Sequence, residues 1–177
     1  MEKILAKAVG ETFELLGMKW KIIKITEAGY QCLAERLERG MQFGKNNDWR
    51  ESRIREYLNG EFYEKLAAVV GTENIIPFER DLWSMDGQTE YGTCEDKVSI
   101  ISVDEYRENR ALIPNEGYWW WTLTPDSTKC NGDDWCIRVV SPSGCIYDDG
   151  YYDYCGVRPF CIFSSSIFAS EDEVDGR

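Results

Sequence analysis

The sequence predicts an α+β domain in which helices from the N-terminal two-thirds pack on a small, twisted, antiparallel sheet. Three observations predict it. Short runs near the N-terminus alternate apolar with polar residues, the period of a half-buried strand. A helical stripe with capping residues at both ends lies between Asp48 and Gly71. The last third alternates short strand patterns with clusters of turn residues.

Taken in order, Phe13 to Ile25 contains two alternating apolar runs around Gly17 and reads as a β-hairpin, with Tyr30 to Glu35 as a third strand. Asp48 is a good N-cap for a helix in which Ile54, Tyr57 and Leu58 form the buried stripe, and Asn59-Gly60 is a good stop. Phe62, Tyr63 and Leu66 predict a second short helix up to Gly71, and the stretch from Gly71 to Glu95 reads as irregular. Val98, Ile100, Ile101 and Val103 predict a short buried strand, followed by a helical turn from Asp104, its expected cap, to Arg110. Strands are expected at about 119–123, 135–140, 145–148 and 157–163, with Ser141-Pro142-Ser143-Gly144 as a tight turn between two of them. Ile137, Val139, Val157 and Ile162 should be buried. Trp119, Trp120 and Trp121 alternate faces, so Trp120 should oppose its two neighbours.

The chain has 177 residues and a net charge of −12, from 32 acids against 20 bases. That length suits a single domain over 1–165, made of an N-terminal region (1–115) and a C-terminal region (116–163), followed by an acidic tail 166–177 that contains Glu171-Asp172-Glu173-Val174-Asp175. The acidity argues against nucleic acid and against anionic membrane surfaces, because both are held by Lys and Arg. No apolar stretch approaches the length of a membrane span, so no membrane insertion is expected. Met1 to Lys7 lacks the apolar core of a signal peptide, which points to cytoplasmic synthesis, with incorporation into a phage particle left open.

There is no histidine, so the usual near-neutral general base and the commonest zinc ligand are both missing. The seven cysteines contain no Cys-x-x-Cys pair, which argues against structural zinc. The expectation is a protein that is not an enzyme and uses no cofactor and no metal, with buried thiols acting as small hydrophobes.

A binding surface is the function this composition favours. Between Trp121 and Gly156 the chain is dense in Asp, Tyr, Gly and Ser, and a stretch so polar and so aromatic cannot pack inside without stranding carboxylates. Tyr147, Tyr151, Tyr152, Tyr154 and Trp135 are candidate ligand-binding anchors, and Asp133, Asp134, Asp148, Asp149 and Asp153 are candidate charge-specific contacts. Arg158, just before Pro159, reads as a structural cation that pairs with an acid or a loop carbonyl.

The ordered set Ser52-x-Ile54-Arg55-x-x-Leu58-Asn59-Gly60-x-Phe62-Tyr63, Asp96-x-Val98-x-Ile100-Ile101-Ser102, Trp120 with Leu123, and Gly156-Val157-Arg158-Pro159 resembles a domain of unknown function frequent in gut bacteria and their phages, over roughly residues 11–163. The C-terminal half of that domain is similar to the variable proteins of diversity-generating retroelements. The resemblance implies a C-type-lectin-like fold and a hypervariable segment in which adenine-directed mutagenesis of template Asn codons leaves Tyr, Asp, Ser, Cys and Gly on a fixed frame. That frame would be Trp119–Leu123, Val139, Gly144 and Gly156–Phe160. The partner it implies is a protein or a cell-surface ligand, with the oligomeric state open.

The calcium-dependent sugar motifs of lectins are absent here. Formylglycine-generating enzymes share that fold family, which keeps open an oxidoreductase using Cys155 and Cys161. Two further alternatives are a calcium site at Asp148-Asp149-x-x-x-Asp153 and a structural component of a phage particle without a ligand.

Overall fold

In the computed structural model, residues 3–5 and 8–169 are described. Residues 1, 2, 6 and 7 of the expected leaderless start, and the run Glu171–Asp175 of the expected tail, lie outside the described residues.

β1 (Thr12–Leu15) and β2 (Met18–Thr26) form the expected hairpin. Leu16 and Gly17 turn it with φ of 56° and 69°, the left-handed pair whose twist matches that of the flanking strands. β3 (Gly29–Ala34) pairs with β2, and β11 (Phe160–Phe163) comes from the far end of the chain to pair with β3. The resulting sheet has the order β1-β2-β3-β11. An irregularity between Ile22 and Lys24 breaks the pleat, so Ile22 and Ile23 are both buried.

β4 (Met41–Gln42) pairs later with β10 (Tyr154–Cys155). Asp48 caps only a single turn, Trp49–Glu51, and Ser52 caps α1 (Arg53–Tyr57) by accepting from Arg55 N at 3.0 Å. The helix does not stop at Asn59-Gly60. It continues through a π-helical turn, Leu58–Phe62, into α2 (Tyr63–Val70), a run of 18 residues. Tertiary contacts override the Gly. The Asn59 amide donates to Val98 O at 2.8 Å and accepts from Lys97 N and Val98 N, while Leu58, Phe62 and Leu66 are buried. The run ends at Gly71, whose φ is 88°.

The stretch read as irregular holds a hairpin, β5 (Phe78–Asp81) with β6 (Thr93–Asp96). Conversely, Val98, Ile100 and Ile101 are buried without forming a strand; only Ser99 bridges to Phe160. α3 (Val103–Glu108) is capped by Ser102, not by Asp104. Glu105 N donates to Ser102 Oγ and Ser102 N donates back to Glu105 Oε2, a reciprocal box that satisfies two free amides. Glu105 also holds both terminal nitrogens of Arg80, at 2.7 and 2.6 Å, and so ties α3 to β5.

β7 (Trp120–Pro125), β8 (Cys136–Val140) and β9 (Ile146–Gly150) make the last sheet, in that order. Ser141 to Gly144 turns β8 into β9, with Ser141 N on Cys145 O at 2.8 Å.

The expected fold class is therefore corrected. Among the described residues the chain is mostly β, with eleven strands in four small antiparallel sheets and a single long helical run. That does not fit an α+β domain with N-terminal helices packed on one sheet, and the C-type-lectin-like frame drawn from the resemblance falls with it. The reason is that the N-terminal third is itself strand and provides three of the four strands of the largest sheet.

The core has two clusters. The larger gathers Trp20, Ile22 and Phe163 from the four-stranded sheet, Leu58 and Leu66 from the helical run, and Trp121, Leu123, Ile137 and Val139 from β7 and β8. The smaller gathers Ile23, Leu33, Phe160, Tyr106, Trp120 and Val140. Strand alternation sends Trp120 and Trp121 into different clusters, while Trp119 is exposed. Ile137, Val139, Val157 and Ile162 are buried, as the sequence predicts.

Arg158 is buried over the Trp120 ring, with Nε on Ala34 O at 3.0 Å and Nη2 at 3.7 Å from Glu116. The packed body extends past residue 165. Ile167 and Phe168 are buried, and Phe168 stacks on Tyr30 at 4.3 Å.

Candidate ligand-binding face

The face is built on two backbone segments that other regions of the chain hold in place. The first is the loop from Ser127 to Cys136. The Asn47 side chain, fully buried, inserts into it and donates to the carbonyls of Ser127, Asp133 and Cys136 at 3.1, 3.2 and 3.1 Å. Its own carbonyl accepts from Tyr91 Oη at 2.6 Å, and Asn47 N donates to Asp134 O at 2.8 Å. Tyr91 Oη also accepts from Lys129 N, and burial pushes the Tyr91 hydroxyl up to about 12.

The second segment runs from Gly150 to Cys155. Phe43 N donates to Tyr151 O at 2.9 Å, Gln42 Nε2 donates to Tyr152 O at 2.7 Å, and Tyr154 and Cys155 pair with Gln42 and Met41. Tyr151 N donates to Trp135 O at 2.9 Å and so joins the two segments.

On this backbone Trp135 and Tyr152 are exposed and nearly parallel, with ring centroids 6.5 Å apart and planes at 17°. Tyr151 meets Tyr152 edge-on at 5.3 Å. Gly150 makes room for the Tyr152 ring, since a Cβ there would lie 2.7 Å from its Cζ. Asp149 and Asp153 both accept from the single Gly150 N–H, at 3.1 and 3.2 Å. Burial first, and then Asp153, raise the Asp149 carboxyl above its ordinary range.

Trp135, Tyr151 and Tyr152 come together through their rings, and Asp149 and Asp153 through the Gly150 N–H. The other expected site residues are distributed around them. Asp133 and Asp134 are half-buried on the pinned loop, where Asp133 Oδ1 accepts from Trp135 N. Tyr154 is exposed on β10. Tyr147 sits apart, edge-on to Trp119 at 5.5 Å. Asp148 points to the other side of β9 from Asp149 and meets the Cys136 thiol at 3.5 Å. Tyr151 is half-buried and packs against the main core, so it is partly a frame residue.

Sequence reasoning missed Asn47, Gln42 and Gly150, which position the face. Only Gly150, the single Gly among the Tyr and Asp residues, carried a local signal. Trp119, read as frame, is exposed beside Tyr147.

Cys155 and Cys161, the pair of the oxidoreductase alternative, lie in settings that disfavour the thiolate. Cys155 sits beside the Asp149 carboxylate at 3.5 Å, and burial followed by that charge pushes it up to about 12. Cys161 is fully buried opposite Cys32, and burial raises it well above the ordinary thiol range. A reactive cysteine needs an electropositive setting. Among the described residues no group of three or more acids or thiols could hold a metal ion. A groove of about 640 Å³ between Leu16, Met18, Leu37, Met41, Tyr57 and Phe62 includes none of the ten expected residues, while an open cleft of about 590 Å³ among Asp86, Asp126, Ser127, Asn131 and Arg138 includes Asp133.

Among proteins compared with this one, the chain belongs to the family described as Domain of unknown function (DUF6273), which it matches over residues 24–117. No curated protein and no solved structure matches the chain. The family match includes Gln42 and Asn47, which hold the face, and ends before the face itself. No helix among the described residues is long and apolar enough to cross a membrane.

Proposed function

We propose that this protein is a recognition module that presents side chains between about residues 126 and 155 to a protein or cell-surface ligand. One observation carries the reading. The backbone of the face is hydrogen-bonded into the body at Asn47, Gln42 and Phe43, while Trp135, Tyr152 and Tyr154 on it stay exposed. Rigid aromatic anchors on a fixed backbone lose little entropy on binding, which suits them to a paratope.

The test is capture of cell-surface extract or phage-displayed ligands by the full chain and by a variant with Trp135→Ser, Tyr152→Ser and Tyr154→Ser. The variant is expected to melt close to the parent, since exposed changes cost within about 0.5 kcal/mol each, and to lose capture. A folded variant that captures as well as the parent overturns the reading.

We further propose that the segment is the diversified target of a retroelement. Its support is the contrast between buried frame residues such as Trp120, Trp121, Val139 and Val157 and the exposed Trp135, Tyr147, Asp148, Tyr152 and Tyr154 between them. Neighbouring DNA should carry a near-repeat of the 3′ coding segment, differing only at adenines, beside a reverse transcriptase gene. A neighbourhood with neither overturns the retroelement proposal and leaves the recognition reading standing.

A further inference from the structure

We propose that this protein has a second binding site, outside the recognition face, that takes a small monocarboxylate with an apolar chain, anchored by the Arg158 guanidinium and the Lys21 ammonium. The site is a cleft of about 350 Å³ between the four-stranded sheet and the segment from Leu112 to Glu116. Sites for small ligands span about 300–1,000 Å³. Ile23 and Leu33 on the sheet side and Leu112 and Pro114 on the other give the cleft apolar walls, and none of its lining residues falls between 126 and 155.

Arg158 is the first support. It lines the cleft, and its side chain is only 6% exposed. One of its nitrogens, Nε, reaches an acceptor at hydrogen-bond distance, Ala34 O at 3.0 Å. Nη1 is buried with no partner, and Nη2 stands 3.7 Å from Glu116, beyond hydrogen-bond length. Burial lowers the guanidinium pKa, and Tyr118, Glu116, Tyr106 and Glu35 together raise it by less. A buried cation is costly unless it is paired and hydrogen-bonded, and this one is short of acceptors. Glu116 is itself 30% exposed. A ligand carboxylate that displaced it would give Nη2 the charge-assisted bond it lacks.

Charge is the second support. Three cations, Lys19, Lys21 and Arg158, line the cleft against two acids, Glu35 and Glu116, an excess of one positive charge. A monocarboxylate neutralises that excess, a phosphate dianion overshoots it, and an ammonium adds to it. Lys21 lies directly opposite Leu33 on the neighbouring strand, so it shares a face with the apolar wall. Its Nζ donates to Leu112 O at 2.9 Å and so spans from the sheet to the facing segment, with further N–H donors left for a ligand.

The experiment follows assigned backbone amides of the full chain by NMR as hexanoate is added, with hexanol, hexylamine and inorganic phosphate as parallel probes, at ionic strength about 0.15 M. Additions run to about 20 mM, past the millimolar affinity expected of ligands this small. Hexanoate should shift the amides of Lys21, Leu33, Leu112 and Ile113 saturably, and bind more tightly than the other three probes. Lys21→Met keeps the stem and removes the charge; it should weaken hexanoate about fivefold. Arg158→Lys keeps the charge and loses the fork; it should weaken hexanoate about tenfold. Glu116→Gln removes the competing carboxylate and should tighten hexanoate about twofold or more, a gain that a purely structural ion pair would not give. Glu64→Gln, an equal charge change on exposed helix surface, should move the affinity by less than about 1.5-fold. Thermal melts confirm that each variant is folded; if Arg158→Lys unfolds, the Lys21 and Glu116 variants decide alone.

Absence of saturable shifts, shifts confined to other residues, or binding of hexanol or phosphate as tight as that of hexanoate overturns the proposal. So does a Glu116→Gln variant that gains no more than Glu64→Gln, or a Lys21→Met variant that binds as the parent does. The recognition reading stands or falls separately, on the Trp135, Tyr152 and Tyr154 variant.

Discussion

Asn47 does more for the candidate face than any residue on the face. Its amide sits among three carbonyls and a tyrosine hydroxyl without access to water. Asn47→Asp turns the donor toward those carbonyls into a buried acceptor. The expected cost is roughly 3 kcal/mol or more, read by urea unfolding, because an unpaired buried charge is left behind. Asp149 makes the opposite prediction. Burial and Asp153 raise its carboxyl above the ordinary 3.8, so the native state holds that proton more tightly than the unfolded chain does. Its stabilising share is present at low pH and is lost as pH rises from 3.8 through the native value. Asp149→Asn should therefore raise Tm at pH 7, and the gain should vanish as the pH falls below 3.8. A gain that persists in acid would show that charge is not its origin.

Elements of this fold are held by contacts with distant segments more than by their own propensities. α3 has six residues, too few to be stable alone, and depends on the Ser102 and Glu105 box and on Arg80. Ser102→Ala should cost about 1 kcal/mol, read by denaturant midpoint. β8 lies with Ile137 and Val139 in the main core. Ile137→Asp should cost about 4 kcal/mol or more, because it buries an unpaired charge; a folded variant of parental stability would place Ile137 outside the core.

At the scale of the whole molecule, the first and last strands among the described residues belong to one sheet. β11 pairs with β3, and Phe168 packs on Tyr30 and Phe13. Ending the chain after Pro159 removes the edge of the largest sheet together with Phe163, Ile167 and Phe168, all buried. That truncation should abolish the cooperative thermal transition. A truncated chain that still melts cooperatively would mean that the remaining strands suffice.

Local pattern determined much on its own. The hairpin around Gly17, the strands near 30, 120, 136, 146 and 160, the turn at Ser141 to Gly144 and the buried Ile137 and Val139 could be read from alternation and turn residues, since those signals act over a few neighbours. So could the aromatic and acidic character of residues 133–155. Non-local pairing could not be read. The partnership of β11 with β3, the continuation of the helix across Gly60, the burial of Val98, Ile100 and Ile101 outside any strand and the role of Asn47 each depend on a residue far along the chain. The makeup of the largest sheet, three strands from the N-terminal third and one from the far end of the chain, turned on the first of these. Tertiary structure alone decided which rings and acids of the segment come together, because side-chain period assigns a residue to a face of its strand and says nothing of what that strand lies against.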